Sequence, residues 1–200
     1  MNDNILPVKG THDIYDKEIE KFNFIIKKFY EISLKYNYQS IQTPIIENQE
    51  LFSRSVGELT DIVSKEMYSF LDKGDVKICL RPEATSGLAR FAAKNYHSGQ
   101  MRLSTHGPMF RRERPQKGRF RQFHQIGVEY FGEINFLYDT EVILIAEKLI
   151  NFLGIKKKLK LEINSLGNLN SRKKYIKILR EFLSDNFKEL SDLSQKRLNE

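Results

Sequence analysis

Two hundred residues, 40% of them hydrophobic and 30% charged, suffice for one core of ordinary size and are too balanced for a disordered chain. No apolar run approaches the ~20 residues of a membrane helix, and Met1-Asn2-Asp3-Asn4 lacks the basic and apolar regions of a signal peptide, so a cytoplasmic protein is expected. A single cysteine excludes an internal disulfide and fits a reducing compartment, while a net charge of +7 favours a polyanionic partner, nucleic acid or nucleotide phosphate.

Ile19, Phe22, Ile26, Phe29, Tyr30 and Ser33 recur at helical spacing, which predicts an amphipathic helix over 16–36 with Asp16 as its N-cap. Tyr38 to Ile41 and Ile45-Ile46 read as short strands separated by Pro44, which cannot donate to a ladder. A short helix over 51–56 precedes a hairpin, strands 66–71 and 76–80 around the turn residues Asp72-Lys73-Gly74. Cys79 lies in its second, apolar strand, where a buried structural thiol is expected. Helix 83–96 leads to a strand over 101–112, a basic loop, and a strand over 121–131. Val142, Ile145, Ala146, Leu149, Phe152 and Leu153 mark a further helix that Gly154 stops. A strand over 159–163 and a helix over 171–187, with Tyr175, Ile178, Leu179, Phe182 and Leu183 inward, complete the expectation. Hairpin-paired strands with interspersed helices predict an α+β domain built on an antiparallel sheet.

The chemistry concentrates between Gly107 and Glu129. Arg111, Arg112, Arg114, Lys117, Arg119 and Arg121 surround one acid, Glu113, and Pro115 and Gly118 impose a turn. Arginine outnumbers lysine five to one there, in a chain otherwise rich in lysine. A planar, bidentate fork suits phosphate oxygens, so the choice of arginine points to phosphate recognition. Strand alternation puts Phe123, Gln125, Gly127 and Glu129 on one face, an amide and a carboxylate separated by a residue with no side chain. Arg111 on the incoming strand would stand beside them. Such a face offers a phosphate grip next to a grip for a cationic amine. Arg81-Pro82-Glu83-Ala84-Thr85 adds a carboxylate and a hydroxyl at a strand-to-helix junction. His12, His97, His106 and His124 are scattered without metal-ligand spacing, and no Walker-type phosphate loop occurs.

The run GPMFRRERPQKGRFRQFHQIGVEYFG, Gly107 to Gly132, resembles the second signature motif of class II aminoacyl-tRNA synthetases in its histidyl form. Lys9-Gly10-Thr11-His12-Asp13, Thr43-Pro44-Ile45-Ile46-Glu47, Arg81 to Thr85 and Leu161 to Gly167 are similar to the same family, in the same order, across essentially the whole chain. The resemblance implies a class II antiparallel sheet flanked by helices. By it, Arg111 is the catalytic arginine on the ATP α-phosphate, and Glu83, Thr85, Gln125 and Glu129 hold histidine. Glu113 and Arg119 stand near the adenine and terminal phosphates, Arg114 and Gln116 meet the tRNA acceptor end, and Pro44 lies at the interface of a homodimer. The implied reaction activates histidine with ATP and Mg²⁺ and transfers it to tRNA(His). Ala84 stands where the family usually has glycine. Motif 3, the histidine-specific signature and the anticodon-binding domain are absent from residues 1–200, so an N-terminal portion of the catalytic domain, weakly active or inactive alone, is expected. Two further readings are a synthetase-like regulatory subunit of ATP phosphoribosyltransferase and a tRNA-sensing module.

Overall fold

The structure, a computed structural model, describes residues 5–57, 60–165 and 167–199. Two compact units divide the chain, one spanning Met1–Lys157 and one Lys158–Glu200.

The first unit opens with helix α1, Lys17–Lys35, whose stripe buries Phe29 and Ser33. The Ser33 hydroxyl donates to the Phe29 carbonyl at 2.8 Å, which satisfies it inside the core. Asp16 does not cap this helix. Its backbone has φ 51 and ψ −131, outside the extended region from which a side chain reaches back to the first amides, and Glu18 and Glu20 supply the negative charge of the first turn.

Two three-stranded sheets follow. In the first, β1 (Gln39–Ser40) runs parallel to β5 (Met101–Phe110), which pairs antiparallel with β6 (Gln122–Phe131). In the second, β4 (Lys77–Leu80) is central between β2 (Ile46–Asn48) and β3 (Tyr68–Leu71). The hairpin turn forms as expected, with Asp72 accepting from the Gly74 amide and Asp75 at φ 58. The expected 51–56 helix is shifted and divided into α2, Gln49–Phe52, capped by Asn48, and a single π-helical turn over Ser53–Gly57. Helix α3, Thr85–Asn95, joins the two sheets, and α4, Phe136–Phe152, closes the unit, with Gly154 at φ 68 where the helix stops.

Helices α1 and α4 cover the rear of the β5–β6 pair. There His124 meets the ring of Phe22 edge-on at 4.5 Å, and His106 Nδ1 shares a 2.8 Å hydrogen bond with the Tyr30 hydroxyl. Cys79 is fully buried, with its Sγ 3.6 Å from the Glu47 carbonyl. Burial, and then the charge of Glu47, push its thiol up to about 11, so it is the inert thiol the sequence predicts.

In the second unit α5 (Leu169–Asp185) is helical over nearly the predicted span, and α6 covers Asp192–Asn199. The expected strand over 159–163 is not formed. A strand exists only where a neighbour completes its hydrogen bonds, and this segment pairs with no strand among the described residues. Nor is the α5 stripe inward: Tyr175, Ile178, Leu179 and Phe182 are exposed, and Leu183 is half-buried. Leu166, in the run from Leu161 to Gly167, lies outside the described residues, as do Met1 to Asn4. No helix of the described residues is long and apolar enough to cross a membrane.

Ser104, fully buried between β1 and β6, has a hydroxyl without a hydrogen-bond partner. Because an unmatched buried hydroxyl costs about 1–3 kcal/mol, Ser104→Ala should leave stability unchanged or raise it in urea unfolding. A loss above about 1 kcal/mol would show that the hydroxyl finds a partner after all.

Candidate active site

The site is built on the β5–β6 register. Gly107 lies opposite Gln125, Thr105 opposite Gly127, and Leu103 opposite Glu129. Directly opposed residues share a face, so Gln125, Gly127 and Glu129 stand in a row, with Phe123 one step further on. A side chain built on Gly127 would meet nothing within 4 Å, so the predicted gap between amide and carboxylate is open space.

The N-terminus of α3 docks against this row. The Ala84 amide donates to Gln125 Oε1 at 3.2 Å, which leaves the amide nitrogen of Gln125 to donate elsewhere. The Thr85 hydroxyl donates to Glu129 Oε1 at 2.6 Å. Glu83 accepts from the Thr85 and Ser86 amides at 2.6 and 2.8 Å, so its carboxylate satisfies two first-turn donors. Glu83, Thr85, Gln125 and Glu129, chosen from sequence as one set, are thus connected here through hydrogen bonds. Ala84 has φ −97, a conformation open to any L-residue, so it needs no glycine.

Arg111 follows β5 and extends the ladder by one bond, its amide donating to the Arg121 carbonyl at 2.9 Å. Its Nε donates to the Pro82 carbonyl at 2.9 Å, and its guanidinium lies 5.2 Å from the Phe123 ring centre. A hydrogen bond on one side and an aromatic face on the other fix the fork beside the Gln125–Glu129 row. The basic loop is ordered by its own chemistry. Gln116 and Arg119 close a turn through backbone hydrogen bonds, with Gly118 at φ 78. Arg119 pairs with Glu113 at 3.3 Å, and Arg121 reaches the Glu113 carbonyl at 3.4 Å. Arg114 and Gln116 are exposed on the loop. Pro44 also lies apart, exposed between β1 and β2 beside Ile45 and Ile46, which are 42% and 52% exposed.

Sequence reasoning passed over two groups. Gly10 has φ 87, and a Cβ there would stand 2.8 Å from Arg121 Cγ and 3.0 Å from Pro115 Cγ, so the N-terminal segment braces the loop base. Its carbonyl accepts from the Arg121 amide at 2.7 Å. The other is Arg81, 4% exposed. A charged residue at the end of an apolar strand was the available signal, since a buried charge demands partners.

The family model described as Histidyl-tRNA synthetase matches residues 10–193. The chain belongs to the histidyl-tRNA synthetase family. It is 49% identical over 194 residues to a chloroplastic histidine–tRNA ligase of Gracilaria tenuistipitata var. liui, covering 96% of this chain and 46% of that protein. Against the histidine–tRNA ligase of Legionella pneumophila (strain Lens) it is 43% identical over 199 residues, covering 98% and 47%. The crystal structure of apo histidyl-tRNA synthetase from S. aureus superimposes with a TM-score of 0.78 at 35% identity, over 97% of this chain and 46% of that one. A structure titled as an ATP phosphoribosyltransferase regulatory subunit/histidyl-tRNA synthetase from Bacillus halodurans shares the fold, at a TM-score of 0.67 and 21% identity. The chain spans about half the length of the curated relatives it matches. Mixed helix and sheet of the class II synthetase kind, expected from the motifs, is the fold found.

Within this family fold the electrostatics of the row are uneven. Burial raises the Glu129 carboxyl above the ordinary carboxylate range, the Thr85 hydrogen bond opposes that rise, and the charge of Glu83 adds to it. A raised carboxyl binds its proton more tightly folded than unfolded. Its contribution to stability is therefore fully present at low pH and is lost as pH rises from the ordinary carboxylate range through the folded value. Glu129→Gln should flatten that loss, measured as urea midpoints from about pH 4 to pH 7. An unchanged pH profile in the variant would mean that Glu129 does not carry it.

Proposed function

We propose that this chain supplies the second signature motif and the Pro44 segment of an enzyme that activates histidine with ATP and transfers it to tRNA(His). The observation that carries the reading is the row Gln125–Gly127–Glu129 beside the clamped Arg111. An open stretch of backbone with an amide and a carboxylate at its ends suits a small ligand with an ammonium or imidazole group, and the fixed guanidinium suits a phosphate. The relatives named as histidine–tRNA ligases support the same ligands.

In this reading Gln125, Glu129, Glu83 and Thr85 orient histidine so that its carboxylate faces the α-phosphorus of ATP. Attack displaces pyrophosphate and leaves histidyl-adenylate, while Arg111 neutralises charge on the α-phosphate as it develops. The terminal ribose hydroxyl of tRNA(His) then attacks the adenylate carbonyl, releasing AMP. Arg119 and Glu113 serve the nucleotide, and the exposed Arg114 and Gln116 meet the acceptor end. Among the described residues no group of three or more His, Cys, Asp or Glu could hold a metal. Bound with ATP, Mg²⁺ would supply neutralisation of charge on the phosphates. The exposed Pro44-Ile45-Ile46 segment supports a homodimer interface, and the reducing cytoplasm suits the single buried thiol.

Residues 1–200 hold the clamped Arg111, so a polypeptide of these residues should bind MgATP. Arg111→Ala should weaken MgATP binding by about tenfold or more in calorimetry. MgATP binding indifferent to Arg111 would contradict the site.

A further inference from the structure

Arg81 is buried at the junction of the two sheets, and both its backbone and its guanidinium are hydrogen-bonded there. Its amide donates to the Ile45 carbonyl at 2.9 Å, and its carbonyl accepts from the Phe110 amide at 3.0 Å, joining the segment before β2 to the end of β5. Its Nε donates to the Pro108 carbonyl at 3.0 Å, and its Nη1 donates to the Thr43 carbonyl and hydroxyl at 2.9 and 3.2 Å. Its Nη2 would stand 2.2 Å from a Cβ on Gly107, so glycine at 107 is what admits the guanidinium. Among the described residues it has no ion pair. The acid whose field it feels is Glu47, itself paired with Arg90 at 2.6 Å. Three neutral acceptors, rather than a carboxylate, therefore hold this buried cation.

The next carbonyl along the chain is that of Pro82, the acceptor that aims Arg111. Pro82 is fully buried and its φ is locked by the ring, so its carbonyl carbon follows the placement of residue 81 and only rotation about ψ, in a packed surrounding, is left to turn the oxygen. We infer that Arg81 is a positioning residue: by pinning the 81–82 backbone to Thr43 and Pro108, it sets the aim of the Arg111 guanidinium. Lysine at 81 would keep the charge but lose the fork that spans three acceptors.

The inference rests on the reading that Arg111 holds a phosphate, and a double-mutant cycle on the whole chain separates the two. Isothermal calorimetry with MgATP is run on the wild type, Arg81→Lys, Arg111→Ala and the double variant. Arg81→Lys should weaken binding by about tenfold alone and by less than about twofold in the Arg111→Ala background, because its effect passes through Arg111. The Arg111 Nε–H resonance, identified by its loss in Arg111→Lys, should shift in Arg81→Lys. If Arg81→Lys does not fold, Thr43→Val removes one acceptor with the shape kept, and should give the same non-additive pattern with a loss of about threefold. Equal losses in both backgrounds, or none in either, would overturn the inference and leave Arg81 a structural residue. Arg111→Ala without effect on MgATP would instead end the phosphate reading, and the inference with it.

Discussion

The ten-residue register between β5 and β6 is the constraint on which the rest depends. With Leu103 opposite Glu129 and Gly107 opposite Gln125, amide and carboxylate face the N-terminus of α3, and His124, Ile126 and Val128 face α1 and α4. Strand side chains alternate with a period of two. A slip of one residue would send Gln125 and Glu129 into the apolar packing and bring Ile126 and Val128 to the face beside α3. The burial of that rear face, with Phe29, Ile145 and Leu149 among its lining, therefore fixes the chemistry of the front.

What the register positions, neutral groups hold in place. Arg111 is aimed by a carbonyl and an aromatic ring, and Arg81 by a hydroxyl and two carbonyls. Pairing Arg111 with a carboxylate would cancel the charge that the proposed phosphate grip requires. Carbonyl oxygens and a ring face orient a guanidinium while leaving its net charge for the ligand. By contrast, Arg119 is paired with Glu113 at the loop. The two carboxylates by the α3 N-terminus divide similarly. Glu83 is spent on helix amides, whereas Glu129 accepts a hydroxyl and keeps a raised affinity for its proton.

Alternation was enough to read the Gln125–Gly127–Glu129 row from sequence, because period two is a geometric property of any strand. The hairpin turn and Gly154 were legible for the same kind of local reason. The failures share one cause. Asp16 has the composition of a cap but the wrong backbone, and Leu159 to Ile163 has the composition of a strand but no paired neighbour. The α5 stripe has the period of a buried face and is exposed in its unit. Composition states what a segment can do, and a partner decides whether it does. Arg81 was missed for the opposite reason: all its partners are far in sequence, at 43, 45, 108 and 110.

Direct observation of the ligand row would test the central claim, that this face takes histidine. L-histidine titrated into the ¹⁵N-labelled chain should shift the Gly127 amide and the Gln125 side-chain amide, with lysine at equal concentration leaving both in place. Shifts confined to other regions, or equal shifts with lysine, would contradict the account.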